Sequence, residues 1–227
     1  MKIVCFGDSI TKGVTYIKGR LRIVKENYPS FLQNFFSENA AADVTVLNKG
    51  VFNDNSNLLV KRLDKDVLSE EPDYVIIGIG GNDCNFNWGE VAEHPEQEHE
   101  ATVPLDRYLD NVKNIVFRIK ECGITPIVLT LPPLDPVRYY KAISVAYDKS
   151  ISHWISMCGG IEHWHGLYNR SLNSLISELD VLKVDIRTAI KNAGDFSALI
   201  SDDGIHLTPQ GYKEMGGAIF TNLSWIK

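Results

Sequence analysis

No stretch of the chain approaches the ~20 apolar residues that a membrane-crossing helix needs, so no membrane span is expected. Basic residues are in deficit, 23 Lys and Arg against 29 Asp and Glu, for a net charge of −6. Such a surface repels a phosphate backbone, and general nucleic-acid binding is excluded as a first reading. Cysteine is scarce. Cys5, Cys84, Cys122 and Cys158 form neither a CxxC pair nor a zinc spacing, and reduced, buried thiols are the expectation. No secretory leader pattern opens the sequence, because Lys2 leads into a short strand-like segment and then loop residues; the default location is cytoplasmic. Internal repeats, low-complexity tracts and a recognisable linker are all missing. One domain over residues 1–227 is the reading.

What is present is an alternation. Apolar residues make up 44% of the chain, enough for a sizeable core. Near-continuous apolar runs at Lys2–Phe6, Val44–Asn48, Tyr74–Ile79 and Pro126–Leu131, with a weaker one at Val181–Asp185, read as strands. Helical periodicity fills the gaps: Tyr28–Asn39, Ser56–Leu68 with a serine cap, Asp106–Glu121 stopped by Gly123, Tyr139–Met157, Ser171–Leu179 beyond a Gly159-Gly160 break, and a last helix from Thr208-Pro209 to about Leu223. Strands that are apolar on both faces and separated by helices predict a parallel sheet covered on both sides, an α/β architecture. Cys84–Pro104 does not fit the alternation. A connection of that length carries function or mobility, and it follows the third strand directly.

Ligands of open parallel sheets bind beyond the carboxyl ends of the strands. Polar signals fall at four such ends: Ser9, Gly50 in "NKGVFNDNS", Gly80-Gly81-Asn82-Asp83, and Asp203 with His206 in "SDDGIHLTPQG". Each has an ordinary explanation by itself. Ser9 reads as a helix cap, Gly50 as a turn glycine, Asn82 and Asp83 as turn formers, and Asp203 and His206 as a local hydrogen-bonded pair. Together they supply a nucleophile, a base, an orienting carboxylate and donors for an oxyanion, the full requirement of a serine hydrolase. Asp202 competes with Asp203 as the orienting acid, and the three-residue spacing to His206 favours Asp203.

This ordered set resembles the SGNH subgroup of the GDSL esterases and lipases. "FGDSIT" resembles its first block, "NKGVFNDNS" its second, "GIGGNDC" its third and "DDGIHLTPQGY" its last. The second block of the family often has another glycine three residues after the first, where this chain has Asn53. The resemblance implies a three-layer α/β/α fold with a five-stranded parallel sheet, flavodoxin-like in type. It also implies a Ser9–His206–Asp203 triad, an oxyanion hole formed by the backbone N–H groups of Ser9 and Gly50 and the Asn82 side chain, and no metal or organic cofactor. The common α/β-hydrolase elbow, GxSxG, is ruled out, since Thr11 stands where its second glycine belongs.

The implied activity is hydrolysis of carboxylic esters, with small acyl or acetyl esters preferred because no long apolar segment suggests a lipid groove. A lysophospholipase or thioesterase acting on lipid acyl groups is one alternative, and a silent carbohydrate- or lipid-binding member of the fold is another. A metal hydrolase built on "EHPEQEHE" or on His163 and His165 matches no familiar ligand spacing. Asp8, Phe86 and Trp88 are candidate substrate-pocket residues, with Tyr16 and Trp164 as further pocket aromatics. The expected partner is a small-molecule ester.

Overall fold

The computed structural model describes residues 1–39 and 43–223. Five strands, β1 (Lys2–Gly7), β4 (Thr45–Gly50), β5 (Tyr74–Gly78), β6 (Thr125–Leu129) and β7 (Leu182–Val184), form one parallel sheet in the order β4-β1-β5-β6-β7. The chain starts one strand in from the β4 edge and winds outward both ways, so the order reverses at β1. The crevice at that reversal is where a ligand fits. Two further strands, β2 (Val14–Ile17) and β3 (Arg20–Ile23), make an antiparallel hairpin apart from the sheet.

The helices are α1 (Ser9–Lys12), α2 (Tyr28–Asn39), α3 (Ser56–Asp66), α4 (Trp88–Glu93), α5 (Leu105–Glu121), α6 (Pro136–Tyr147), α7 (Ser152–Met157), α8 (Ile161–Glu178), α9 (Ile186–Asn192), α10 (Phe196–Leu199) and α11 (Pro209–Leu223). The two-residue pleat of β1 sends Ile3 and Cys5 to one face and Val4 and Phe6 to the other. Val4 and Phe6 join Leu59 and Leu63 of α3, Val112 and Val116 of α5, and Leu172 and Ile176 of α8. On the opposite face Ile3 and Cys5 join Leu32 and Phe36 of α2, Ile190 of α9, and Met215 and Ile219 of α11. This is the three-layer α/β/α arrangement the alternation predicts.

The differences from the sequence reading are local. The cap of α3 is Asn55, whose side chain accepts from the Leu58 amide, while the Ser56 amide donates to Asp83 Oδ1 at 2.9 Å. The segment expected as one helix over 139–157 is broken by a 3-10 turn at Asp148–Ile151, where Ile151 turns fully inward. Helix α8 begins ten residues before the expected Ser171. Its first half contains His163, His165 and Gly166, weak helix formers, and is held by the burial of His165, Tyr168 and Asn169 along one face. Cys5 and Cys84 are buried thiols, but Cys122 is exposed at the end of α5 and Cys158 is half-buried, so the expectation of buried thiols holds for two of the four.

Candidate active site

Three of the strand-end signals meet at the reversal point. Asp8 accepts from the Ile10 amide at 2.9 Å and caps α1, which leaves Ser9 as the first residue of that helix and its hydroxyl free of capping. The Ser9 Oγ lies 2.9 Å from His206 Nε2, across 197 residues of sequence. His206 Nδ1 lies 2.6 Å from Asp203 Oδ2. A carboxylate only accepts, so the proton sits on Nδ1 and the Nε2 lone pair faces the serine. The other Asp203 oxygen receives the His206 and Ile205 amides at 3.1 and 3.2 Å and the Ser201 hydroxyl at 2.9 Å. Burial pushes the Asp203 carboxyl up, but the His206 bond, the His206 charge and the two amides outweigh it and hold the group below the ordinary carboxylate range. Asp202 is exposed and takes no part.

The loop carrying this pair turns at a glycine. Gly204 sits at φ +80°, and a Cβ there would meet Tyr139 N at 2.3 Å. Its carbonyl accepts the Asp135 amide at 2.8 Å, which ties the loop to the start of α6.

The donors differ from expectation at one position. The Ser9 backbone N–H, at the start of α1, has no partner among the described residues. Asn82 Nδ2 donates one hydrogen to the Asp54 carbonyl at 2.7 Å, which fixes the amide plane and leaves the second hydrogen available. Gly50 does not line the cavity. Its N–H is already given to Asn48 Oδ1 at 2.9 Å, and a Cβ at this position would stand 2.2 Å from Lys12 N. Glycine is required there because β4 ends against the backbone of α1. Asn53, the departure from the family pattern, adopts φ +63°, a left-handed turn that asparagine tolerates better than most residues.

One residue behind the site went unnoticed in the sequence. Arg62 of α3 donates to Asp54 Oδ2 at 2.6 Å, Asp66 Oδ2 at 3.0 Å, and the carbonyls of Lys49 and Gly7 at 2.9 Å each. It stacks 4.4 Å over the Phe6 ring. The guanidinium therefore clamps the ends of β1 and β4 and the residue that holds Asn82. The available signal was a cation inside the apolar stripe of α3, between Leu59 and Leu63.

A cavity opens at Ser9 and His206. Asp8, Asn82, Phe86, Trp88 and Trp164 line it, whereas Tyr16 does not. Burial raises the Asp8 carboxyl to about 7 and that of Asp83 to about 6. The Cys84–Pro104 connection supplies part of the wall. Phe86 stands 5.5, 5.6 and 5.2 Å, centroid to centroid, from Trp88, Trp154 and Trp164. Asn85 Oδ1 accepts from Trp88 Nε1 and the Tyr139 hydroxyl, at 2.9 and 2.7 Å. No group of three or more His, Cys, Asp or Glu side chains among the described residues is placed to hold a metal ion, and no helix among them is long and apolar enough to cross a membrane.

The sheet order and the layers are those of the GDSL/SGNH hydrolases. The chain belongs to the GDSL-like lipase/acylhydrolase family, which it matches over residues 3–219, and it is a carboxylic ester hydrolase. It is 28% identical over 229 residues to a GDSL esterase/lipase of Arabidopsis thaliana, covering 99% of this chain and 84% of that protein. It is 24% identical over 221 residues to the isoamyl acetate-hydrolyzing esterase of Saccharomyces cerevisiae, covering 93% and 81%. Among solved structures, the lipase/acylhydrolase from Enterococcus faecalis superposes with a TM-score of 0.74 at 20% identity, covering 99% of this chain and 95% of that one.

Proposed function

We propose that this protein hydrolyses small carboxylic esters, acetyl and short acyl esters first, with Ser9 as nucleophile, His206 as base and Asp203 as the orienting carboxylate. The single observation that carries the reading is the continuous chain of 2.9 and 2.6 Å contacts from Ser9 Oγ through His206 to Asp203.

Ser9 Oγ attacks the ester carbonyl as its proton passes to His206 Nε2. The oxyanion is met by the Ser9 N–H and the free Asn82 hydrogen. The intermediate collapses, the alcohol leaves with the proton from His206, and an acyl-Ser9 ester remains. Water attacks that ester by the same route in reverse, which releases the acid and restores Ser9. Asp203 holds the imidazole tautomer and balances the imidazolium formed in each half. The preference for small esters is supported by the substrate named for the yeast relative. A cytoplasmic site of action accompanies the proposal, supported by four free cysteines; recovery of the native protein in a membrane or secreted fraction would reject it.

The test is turnover of a chain-length series of p-nitrophenyl esters. Ser9→Ala is expected to abolish hydrolysis. Asn82→Ala is expected to lower kcat by ~10²–10³-fold with the fold intact, the scale of one oxyanion donor. Wild-type turnover by Ser9→Ala would remove the proposal.

A further inference from the structure

His165 lines the same cavity as Ser9, yet the hydrolytic steps make no use of it. It belongs to α8, and only 6% of the residue is exposed. Its Nδ1 lies 2.9 Å from an Arg187 guanidinium nitrogen. A guanidinium only donates, so Nδ1 must present its lone pair, and a neutral ring then carries its hydrogen on Nε2. Burial, followed by the charges of Arg187 and Lys191, holds the imidazole down to about 3, so it stays neutral.

Arg187 is itself fixed. It pairs with Glu162 at 3.3 Å, and its backbone N–H donates to Thr130 Oγ1 at 3.0 Å. The tautomer of His165 is thus set by a second layer of contacts. The Nε2 atom has no protein partner among the described residues. Nor is it one of the buried polar atoms sealed away without a partner. It is an N–H donor without a protein acceptor among the described residues, on a side chain that lines the cavity.

The wall of the cavity is mostly apolar, with Trp164, Ile161, Leu131 and Cys158 among its lining. A fixed donor in apolar surroundings costs free energy unless an acceptor answers it. Thr130 and Arg187 follow β6 and β7, whereas Ser9 follows β1. Two to three strand spacings separate them, about 10–14 Å. The acceptor therefore belongs to the far part of a bound molecule, several bonds from the reacting carbonyl.

We propose that His165 Nε2–H is a specificity subsite, receiving a hydroxyl, ether or carbonyl oxygen borne by the distal part of the ester. The protein then selects oxygenated esters over their alkyl counterparts. This rests on the reading of Ser9 as the nucleophile of the same cavity.

The test uses two matched pairs: p-nitrophenyl 5-oxohexanoate with p-nitrophenyl hexanoate, and 5-oxohexyl acetate with hexyl acetate. In at least one pair the wild-type chain is expected to favour the ketone by about tenfold or more in kcat/KM. His165→Phe should erase that preference and leave the alkyl ester within about threefold of wild type. His165→Gln can accept from Arg187 and donate to the cavity, so it should restore part of the preference. Nitrogen-15 spectra of the imidazole should show the Nε2–H tautomer from pH 5 to 8. Wild-type indifference within both pairs, equal losses on both members in the variants, or an Nδ1–H or protonated ring would overturn the proposal. Calorimetric binding of the same four esters to Ser9→Ala separates the two readings. A ketone preference there, without turnover by the wild type, would uphold the subsite and sink the hydrolytic reading.

Discussion

Asp8 occupies a costly position. It caps α1 beside Ser9, is nearly fully buried, and has its carboxyl held up at about 7 from 3.8, chiefly by desolvation. Between about pH 4 and pH 7 the folded chain therefore retains a proton that the unfolded chain has released. Stability contributed by this group is complete below pH 4 and is lost as the pH rises through that window. Asp8→Asn keeps an oxygen for the Ile10 amide but carries no charge. It is expected to exceed the wild type in stability at pH 8, by at most about 4 kcal/mol, with the gap closing towards pH 4. Urea unfolding at four pH values checks this, and parallel pH profiles for the two proteins would contradict it. Residue identities announced much of the candidate site. Ser9, Asn82, Asp203 and His206 are polar groups placed where apolar strands stop, and that placement is visible in one dimension. Gly50 shows the limit, since sequence reveals that a glycine is needed but not whether a donor or a close approach needs it.

At the scale of elements, the clamp formed by Arg62 joins β1, β4, α3 and the Asp54 turn that holds Asn82. Arg62 and Asp54 are both largely buried, with side chains 15% and 7% exposed. Removing one partner leaves a buried charge unanswered. Arg62→Met is expected to cost about 3–5 kcal/mol, measured by denaturant unfolding. The same variant should lose ester turnover even where it is still folded, because Asn82 depends on the Asp54 carbonyl. Full activity in a folded Arg62→Met protein would show that the turn keeps its shape unaided. The five strands were legible because buried parallel strands are almost uniformly apolar. The β2–β3 hairpin was not: Arg20, Leu21, Arg22 and Ile23 are all exposed, so no alternation marks a buried face. The start of α8 was hidden for a related reason, since His165 and Gly166 face inward where aliphatic side chains would have signalled a helix.

Over the whole molecule, the Ser9–His206 contact joins the end of β1 to the loop before α11. The loop is fastened to α6 through Gly204, whose carbonyl accepts the Asp135 amide. Gly204→Ala puts a Cβ on the Tyr139 backbone at a left-handed φ. It should lower kcat by at least tenfold while the near-UV dichroism of the core stays close to wild type; an unchanged kcat would show that the loop has another way to seat His206. Ser9 and His206 also leave the ribosome about two hundred residues apart. At 5–20 residues per second, roughly ten to forty seconds separate their synthesis. A nascent chain can fold its opening strand while Ser9 still lacks its 2.9 Å contact with His206; under the proposed mechanism the hydroxyl stays inert until the segment that carries the imidazole has been made.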